Sequence, residues 1–239
     1  MKRFFDIFFS ILGLLLISPV LLIFMLLIYL QDKGSPIYIA ERVGKNKKIF
    51  SMIKLRSMYI NSDKNGVSST SNNDSRITKV GHVIRKYKLD EFTQLWNVLI
   101  GNMSLVGPRP TTKSHIVSYS EIEKELLSVK PGITDFSSIV FSDEGKILEN
   151  KEDPDLSYNQ LIRPWKSRLG LIYIKHKSIL LDLELMIFTV VALISKPMAL
   201  KWVVKKLERF DVDQKIIEVA KRENELYPYP PPGSDKIAV

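Results

Sequence analysis

The sequence contains no cysteine among its 239 residues, which excludes disulfides, thiolate zinc sites and a cysteine nucleophile. It has three histidines, His82, His115 and His176, whose spacing matches no metal-binding motif, so we expect structural roles for them. Its 11 glycines are scattered and form neither a phosphate-cradling P-loop nor a dinucleotide fingerprint. The sequence therefore gives no sign of these familiar metal, thiol and nucleotide sites.

Acidic residues are outnumbered: 26 Asp and Glu stand against 35 Lys and Arg, for a net charge of +9. Such a balance favours an anionic partner, which could be nucleic acid, an anionic lipid surface or a phosphorylated substrate. A nucleic-acid module needs aromatic residues interleaved with basic ones on a polar surface. Here Phe4, Phe8 and Phe24 lie in an apolar run instead. We therefore expect membrane lipid and a phosphorylated substrate as partners, and no nucleic acid.

Charged side chains are absent from Ile7 to Leu30. A helix of this length can cross a bilayer core, which takes roughly 20 residues. A secretory signal peptide fits poorly, because its apolar core spans only about 7–15 residues and ends near a small-residue cleavage site. No such site follows this run. Residues 1–32 are therefore predicted to be a membrane element.

The topology of this element is open from the residues alone. Lys2 and Arg3 precede the apolar run and basic residues resume at Lys33, so the positive-inside rule places both ends in the cytoplasm. Ser18 and Pro19 lie in the middle, where proline removes a backbone donor and serine can bond a freed carbonyl. A re-entrant helix broken at Ser18-Pro19 satisfies the charge rule. A single span with a mild kink remains the alternative.

The rest of the sequence predicts a mostly α fold with a few short strands (α+β), with one domain at 33–207 and a partly disordered extension at 208–239. The predicted elements are strands Ile37–Ile39 and Ile49–Leu55, a basic loop Arg42–Lys48, a surface loop Asn61–Ser75, helices Ile77–Leu99 and Lys113–Leu127, an irregular acidic segment Phe141–Pro154, and an extended or disordered tail Tyr227–Val239.

Two of the helical regions carry more specific expectations. In the first, apolar residues recur every three or four positions and predict one buried face, with Gly101 as the stop. Its members are Leu89, Phe92, either Leu95 or Trp96, and Leu99. In the second, Leu169–Val204, the longest uncharged stretch is too short to cross a bilayer. It predicts either a helix at the membrane interface or a buried core helix.

Asp90 and Glu91 are adjacent carboxylates where the first of these regions becomes amphipathic. Consecutive helical residues point about 100° apart, so the two can flank a site but cannot share one face. In a first helical turn, the helix dipole would keep Asp90 ionised and the backbone N–H groups would favour a phosphate. A carboxylate is a competent nucleophile at phosphorus. The alternative is an ordinary solvated helix start.

Three cations are candidates for binding an anionic substrate. Lys54 and Arg56 are two positions apart in a predicted strand and would point to the same side, where they could hold a pyrophosphate. The alternative is an edge strand protected by charge. Arg109 lies between Pro108 and Pro110, which fix the backbone that presents its guanidinium.

Five sequence segments resemble the bacterial sugar transferases, the small monotopic polyprenyl-phosphate phosphoglycosyl transferases that initiate glycoconjugate synthesis. The longest is KLDEFTQLWNVLIGNMSLVGPRP at Lys88–Pro110. The others follow that family's order: KRFFDIFFSILGLLLISPV, ERVGKNKKIFSMIKLRSM, VKPGIT and IKHKSILLDLELM. Together they cover most of residues 1–205.

The resemblance implies a ping-pong reaction. Asp90 would attack the β-phosphate of a UDP-sugar, release UMP and pass the sugar phosphate to polyprenyl phosphate, with Glu91 orienting the site or managing a proton. Mg²⁺ would bridge Asp90 and the diphosphate. The resemblance implies substrate contacts for Lys54, Arg56, Arg85, Pro108, Arg109 and Pro110.

The resemblance also implies a re-entrant helix and a catalytic domain at 33–207 on the cytoplasmic face of the bacterial inner membrane, with homo-oligomers possible. One segment departs from the family: after Thr134 the chain runs Asp135–Phe141, and an arginine expected nearby is absent. Donor preference can therefore differ, and we expect an N-acetylated hexosamine or deoxyhexosamine. A non-catalytic assembly factor that keeps the fold is the competing interpretation.

Overall fold

The computed structural model describes residues 1–62 and 69–238. This part is mostly helical with a few short strands, as predicted, and the strands form two pairs, of which the second was not predicted. The helices are α1 Lys2–Asp32, α2 Lys79–Lys86, α3 Leu89–Phe92, α4 Gln94–Leu99, α5 Lys113–Val117, α6 Phe136–Val140, α7 Glu144–Ile147, α8 Pro154–Ser157, α9 Arg163–His176, α10 Ile179–Ile194, α11 Lys196–Arg209 and α12 Gln214–Lys221. The strands are β1 Ile37–Val43, β2 Ile49–Leu55, β3 Ser104–Val106 and β4 Gly132–Thr134. Residues 63–68 of the predicted surface loop lie outside the described residues.

Helix α1 is one continuous helix of 31 residues that runs through Pro19. Because proline has no N–H, the carbonyl of Leu15 loses its helical partner. Ser18 Oγ donates to that carbonyl at 3.0 Å, which is the compensation predicted for it. Ser18 and Pro19 therefore do not divide the helix in two. In the described part of the chain, α1 is the one helix long and apolar enough to cross a membrane.

The N-terminal end of α1 is held by the folded domain. Lys2 forms an ion pair with Asp182 of α10. The buried carboxylate of Asp6 accepts hydrogen bonds from Ser104 Oγ and from the Leu105 amide, both at 3.0 Å. These contacts fix the start of α1 against β3 and α10.

The C-terminal end of α1 is held by the same domain. Asp32 pairs with Arg56, just after β2, through two nitrogen–oxygen distances of 2.6 Å. One face of the helix enters an apolar cluster formed by Leu21, Ile28, Leu55, Ile84 and Leu89. The opposite face leaves many large apolar side chains exposed, among them Phe4, Leu15, Leu16, Leu22, Ile23, Leu26 and Leu30.

Strands β1 and β2 form an antiparallel hairpin in which Ile37 pairs with Leu55 and Val43 with Ile49. β2 has the predicted bounds, whereas β1 continues beyond the predicted Ile39. β1 is longer because it pairs with the whole of β2. The basic loop, predicted to begin at Arg42, therefore begins at Gly44. Both predicted strands are confirmed.

The segment before Gly101 forms three short helices, α2, α3 and α4, rather than the one helix predicted. Lys88 has φ 53, in the left-handed region, which a helix cannot pass through. Leu89 and Leu95 are buried as predicted, whereas Trp96 is 52% exposed, so Leu95 and not Trp96 continues the buried face. Gly101 has φ +89 and follows the end of α4, so its predicted role as a stop is confirmed.

Strands β3 and β4 form a short parallel pair held by two glycines in close contact. A Cβ atom on Gly132 would lie 2.1 Å from the backbone nitrogen of Gly107, so neither position tolerates a side chain without movement. Gly107 N donates to Thr134 O and Gly132 N donates to Pro108 O, both at 2.9 Å. This pairing places the turn that carries Arg109 beside the end of β4.

The main core lies between β3, β4 and helices α6, α9, α10 and α11. Its largest fully buried side chains include Phe136, Ile139, Trp165, Leu169, Tyr173 and Leu181. The predicted helix Lys113–Leu127 is shorter here, as α5 and a 3₁₀ turn at Glu123–Ser128. The Ser120-Glu121 region between them turns the chain. The predicted acidic segment is mostly turns around α7.

Helix α10 has two apolar faces, and each matches one of the two alternatives for this region. Leu181 and Leu185 are buried in the core. The other face is exposed at Leu180, Ile187, Val190, Leu193 and Ile194. The helix is therefore a core helix on one side and leaves an apolar surface on the other.

The tail after α12 runs extended over α9. Tyr229 stacks on Trp165 with ring centroids 4.4 Å apart, and Arg168 donates to Pro230 O at 2.8 Å. Of the two alternatives for this segment, the described residues show the extended one. The division of the chain at residue 208 stays a prediction.

Candidate active site

An open cleft of about 860 Å³ lies between the β1–β2 hairpin, α3, the Pro-Arg-Pro turn and the start of α6. Seven of the sequence-predicted residues line it: Lys54, Arg85, Asp90, Glu91, Pro108, Arg109 and Pro110. They come from four separate segments, which are β2, α2, α3 and the Pro-Arg-Pro turn, and the fold places these segments around one cleft.

Asp90 lies in the first turn of α3, as predicted. The turn starts at the left-handed Lys88, which redirects the chain after α2. Thr93 Oγ1 donates to Asp90 O at 2.9 Å and to Ile53 O at 3.0 Å, which fastens α3 to β2. On that strand, Lys54 Nζ lies 3.5 Å from Asp90 Oδ2. The Asp90 carboxylate therefore enters the cleft beside one cation.

Glu91 points to a different partner, as expected for consecutive helical residues. Arg109 donates to both its carboxylate oxygens, at 3.0 and 2.9 Å. The same guanidinium donates to Ile133 O at 2.7 Å, which ties it to β4. A planar guanidinium matches a carboxylate in this forked geometry. Glu91 therefore holds Arg109 in one orientation at the cleft.

The charges around Glu91 set its protonation. Burial raises the pKa of Glu91, but the positive charges of Arg109, Lys88 and Lys54 outweigh burial and lower it to about 2. Burial lowers the pKa of Lys88, and Glu91 opposes that effect. Glu91 is therefore ionised at neutral pH and partly balances a basic cleft.

Arg56 is not in the cleft, which contradicts the expectation that it lies on the same side as Lys54. The strand ends at Leu55, so the alternation that governs a strand no longer applies to Arg56. Its guanidinium binds Asp32 and donates to Ser35 O at 2.6 Å. Lys54 and Arg56 are therefore not placed to bind one anion together.

The sequence did not single out several other cleft residues. Lys166 of α9 forms an ion pair with Glu144, and its ammonium lies 5.4 Å from the Tyr158 ring centre. Arg42 of β1 and Lys88 also line the cleft. Lys88 could have been found from its place beside Asp90, whereas no local pattern marks Lys166.

The three histidines have different surroundings. His82 and His115 line the cleft, and the His115 ring stacks on Tyr158 at 5.8 Å. His176 stacks on Phe210 at 3.9 Å, away from the cleft. The structural role expected for all three is thus supported directly for His176.

The acidic side chains of the cleft are compatible with Mg²⁺. No group of three or more His, Asp or Glu side chains able to hold a metal occurs in residues 1–62 and 69–238. Mg²⁺ is commonly bound by one or two carboxylates together with substrate phosphates and water. The single carboxylate of Asp90, open to the cleft, fits that pattern of binding.

Comparison with known proteins adds independent information. The family model for the bacterial sugar transferases matches residues 1–196. A Bacillus subtilis (strain 168) protein is 46% identical over 109 residues, which are 46% of this chain and 61% of the relative. It carries the provisional name undecaprenyl-phosphate N-acetylgalactosaminyl 1-phosphate transferase.

Two further relatives align over most of the chain. The UDP-glucose:undecaprenyl-phosphate glucose-1-phosphate transferase of Klebsiella pneumoniae is 39% identical over 193 residues, 79% of this chain and 39% of the relative. The exopolysaccharide production protein PSS of Rhizobium leguminosarum bv. phaseoli is 35% identical over 203 residues, 80% of this chain and 94% of the relative. The chain spans less than two thirds of the length of the Bacillus and Klebsiella relatives.

Proposed function

We propose that this chain, which belongs to the bacterial sugar transferase family, transfers a sugar 1-phosphate from a UDP-sugar to polyprenyl phosphate. The observation that carries the proposal is the Asp90 carboxylate, which enters a basic cleft from a fixed helical turn. The named activities of two relatives, on undecaprenyl phosphate, support the same reaction class.

The proposed reaction has two displacements at phosphorus. In the first, an Asp90 carboxylate oxygen bonds to the β-phosphorus while the bond to the bridging oxygen breaks, and UMP leaves with that oxygen. In the second, a phosphate oxygen of polyprenyl phosphate bonds to the same phosphorus and the bond to Asp90 breaks. The carboxylate is regenerated, and polyprenyl diphosphate-sugar is released.

The cations around Asp90 have distinct parts in this scheme. Lys54 lies close enough to Asp90 to orient its carboxylate and to contact a phosphate oxygen. Arg109, oriented by Glu91, presents a guanidinium to the negative charge that develops as UMP leaves. Arg85 and Lys166 line the same cleft and add to its attraction for a diphosphate. Mg²⁺ bound by Asp90 would supply charge neutralisation of the diphosphate.

The membrane arrangement proposed is a re-entrant α1, with both ends on the cytoplasmic face of the inner membrane. Support comes from the contacts of α1, whose two ends both bind one folded domain through Lys2–Asp182 and Asp32–Arg56. A helix that crosses the bilayer would place those ends on opposite sides of the membrane, where one domain could not bind both. The exposed apolar faces of α1 and α10 supply the membrane contact. A cleft held at the membrane surface can receive the phosphate of a lipid that stays in the bilayer.

For the donor sugar we propose an N-acetylated hexosamine or deoxyhexosamine. The name of the Bacillus relative, which contains N-acetylgalactosaminyl, supports it. The Klebsiella relative is named for glucose, so relatives of similar identity differ in the sugar. A panel of UDP-sugars decides the point.

The test is UMP release by the full chain in detergent, with Mg²⁺, undecaprenyl phosphate and a panel of UDP-sugars, beside Asp90→Asn. We expect lipid-dependent release by the wild type and loss of release in the variant. Without the lipid, intact-mass measurement should show one sugar phosphate added to the wild type and none to Asp90→Asn.

Asp213→Asn is the matched control, because Asp213 caps α12 outside the cleft. It should retain full activity. Equal release by wild type and Asp90→Asn would remove Asp90 as the nucleophile. No release with any donor would favour the non-catalytic assembly factor.

A further inference from the structure

Asp135 is a buried carboxylate that lines the cleft and is only 1% exposed. Its Oδ1 atom accepts three hydrogen bonds, from Ser137 Oγ at 2.7 Å, Ser138 N at 2.8 Å and Ser138 Oγ at 2.8 Å. These bonds fix the carboxylate at the start of α6, so its orientation is determined by the protein.

The other oxygen, Oδ2, has no hydrogen-bond partner among the residues that the structure describes. Leaving a buried polar atom without a partner costs free energy, and such atoms are rare in folded proteins. The cap of α6 uses Oδ1 alone, so capping does not explain Oδ2. Burial raises the pKa of Asp135, an effect that a hydrogen-bond donor on Oδ2 would oppose.

The position of Asp135 relates it to the reacting groups. It follows β4, where Ile133 O accepts a hydrogen bond from Arg109. The Arg109 guanidinium also interacts electrostatically with Glu91, Asp135 and Asp90. Asp135, Ser137 and Ser138 therefore line the same cleft as Asp90 and Arg109, and that cleft is where the proposed function puts the donor sugar.

We propose that Asp135 Oδ2 accepts a hydrogen bond from a hydroxyl or amide N–H of the donor sugar, which makes Asp135 a specificity-determining residue. This inference rests on the proposed function. In its ionised form the carboxylate can only accept, so the hydrogen bond that stabilises this form takes its hydrogen from the sugar. A donor without that group would leave Oδ2 unpaired in the complex, which is how polar sites reject near-identical ligands.

The experiment measures kcat/KM for UMP release by wild type and Asp135→Asn with the preferred UDP-sugar and with two kinds of analogue. One kind carries fluorine in place of a single hydroxyl group, and the other carries an ester oxygen in place of the N–H of an acetamido group. Asparagine keeps the shape and the Oδ1 cap, so folding is preserved. Its amide nitrogen takes the place of the acceptor. We expect a loss of about 10- to 100-fold for the natural sugar, as for a hydrogen bond to a charged group.

The analogues identify the group that is bound. With the analogue that lacks the bonded hydrogen, wild type and Asp135→Asn should have equal kcat/KM, because the interaction is absent from both. Asp153→Asn is the matched control, since Asp153 caps α8 through the same kind of bond and does not line the cleft. It should leave every ratio between donors unchanged.

Two results would overturn the inference. One is an Asp135→Asn variant that keeps wild-type kcat/KM with the natural sugar. The other is a loss of equal size for every analogue. In both cases the wild type still releases UMP, so the proposed function stands. If the wild type releases none, it is the proposed function that fails.

Discussion

Replacing Arg109 with lysine tests whether the paired hydrogen bonds from Arg109 to Glu91 matter for the reaction in the cleft or only for the stability of the fold. Lysine keeps the positive charge but offers a point charge in place of a planar fork. Arg109→Lys would lose one of the two bonds to Glu91 and the bond to Ile133 O. Glu91 would remain ionised beside Lys88.

Arg56→Lys is a closely matched control. Arg56 also forks onto a carboxylate, that of Asp32, and donates to a backbone carbonyl, that of Ser35. Both arginine side chains are largely buried: the side chain of Arg109 is 26% exposed and that of Arg56 is 8% exposed. Only Arg109 lines the cleft. The two variants therefore remove similar bonds from different places.

The magnitude follows from the bonds lost. A hydrogen bond to a charged group contributes about 1.5–3 kcal/mol, and partial exposure of both pairs places each variant near 2 kcal/mol of lost stability. For a domain of this size, that lowers Tm by about 4–8 °C. Removal of a donor that stabilises transition-state charge costs about 100- to 1,000-fold in kcat. We expect that additional loss for Arg109→Lys alone.

The assay pairs thermal unfolding in detergent with UMP release, measured well below both Tm values. We expect similar Tm losses but unequal activities. Equal activity losses in the two variants would show that the cleft guanidinium has no special part. Retained activity in Arg109→Lys would show that a point charge is enough.

Two further predictions concern α3. The positive charges of Arg109, Lys88 and Lys54 outweigh burial and lower the pKa of Glu91 to about 2. The ionised Glu91 therefore stabilises the fold above about pH 4.5, and this contribution is lost as the pH falls towards 2. The Tm difference between wild type and Glu91→Gln should therefore shrink over that interval, and a constant difference would contradict it. Lys88 has φ 53, so Lys88→Gly should be more stable than Lys88→Ala by about 1 kcal/mol in denaturant titrations, whereas equal stability would show no strain there.

Local patterns predicted the features that depend on neighbours in the sequence. The Asp90-Glu91 pair was placed in a first helical turn, and the two prolines around Arg109 marked a rigid turn. The β1–β2 hairpin followed from short apolar runs. Each of these depends on a few consecutive residues, whose side-chain periodicity is visible in the sequence.

The features that were missed depend on distant contacts or on single backbone angles. Spacing of apolar residues cannot show that Lys88 is left-handed, so the prediction carried one helix across the break between α2 and α3. Arg56 was assigned to substrate from its spacing to Lys54, since the sequence does not show that its partner is Asp32 at the end of α1. Lys166 reaches the cleft only through the packing of α9. The backbone conformation of Lys88, the partner of Arg56 and the position of Lys166 all depend on the tertiary structure.

The contacts of α1 bear on how a water-soluble form could be made. Deleting residues 1–32 would uncover Leu55, Ile84 and Leu89, which pack against that helix, and would leave Arg56 without its carboxylate partner. Leu89 immediately precedes the proposed nucleophile. A truncated chain would therefore be expected to aggregate or to lose the geometry of the cleft. Polar substitutions on the outward face of α1, with the whole chain retained, are the better route to solubility.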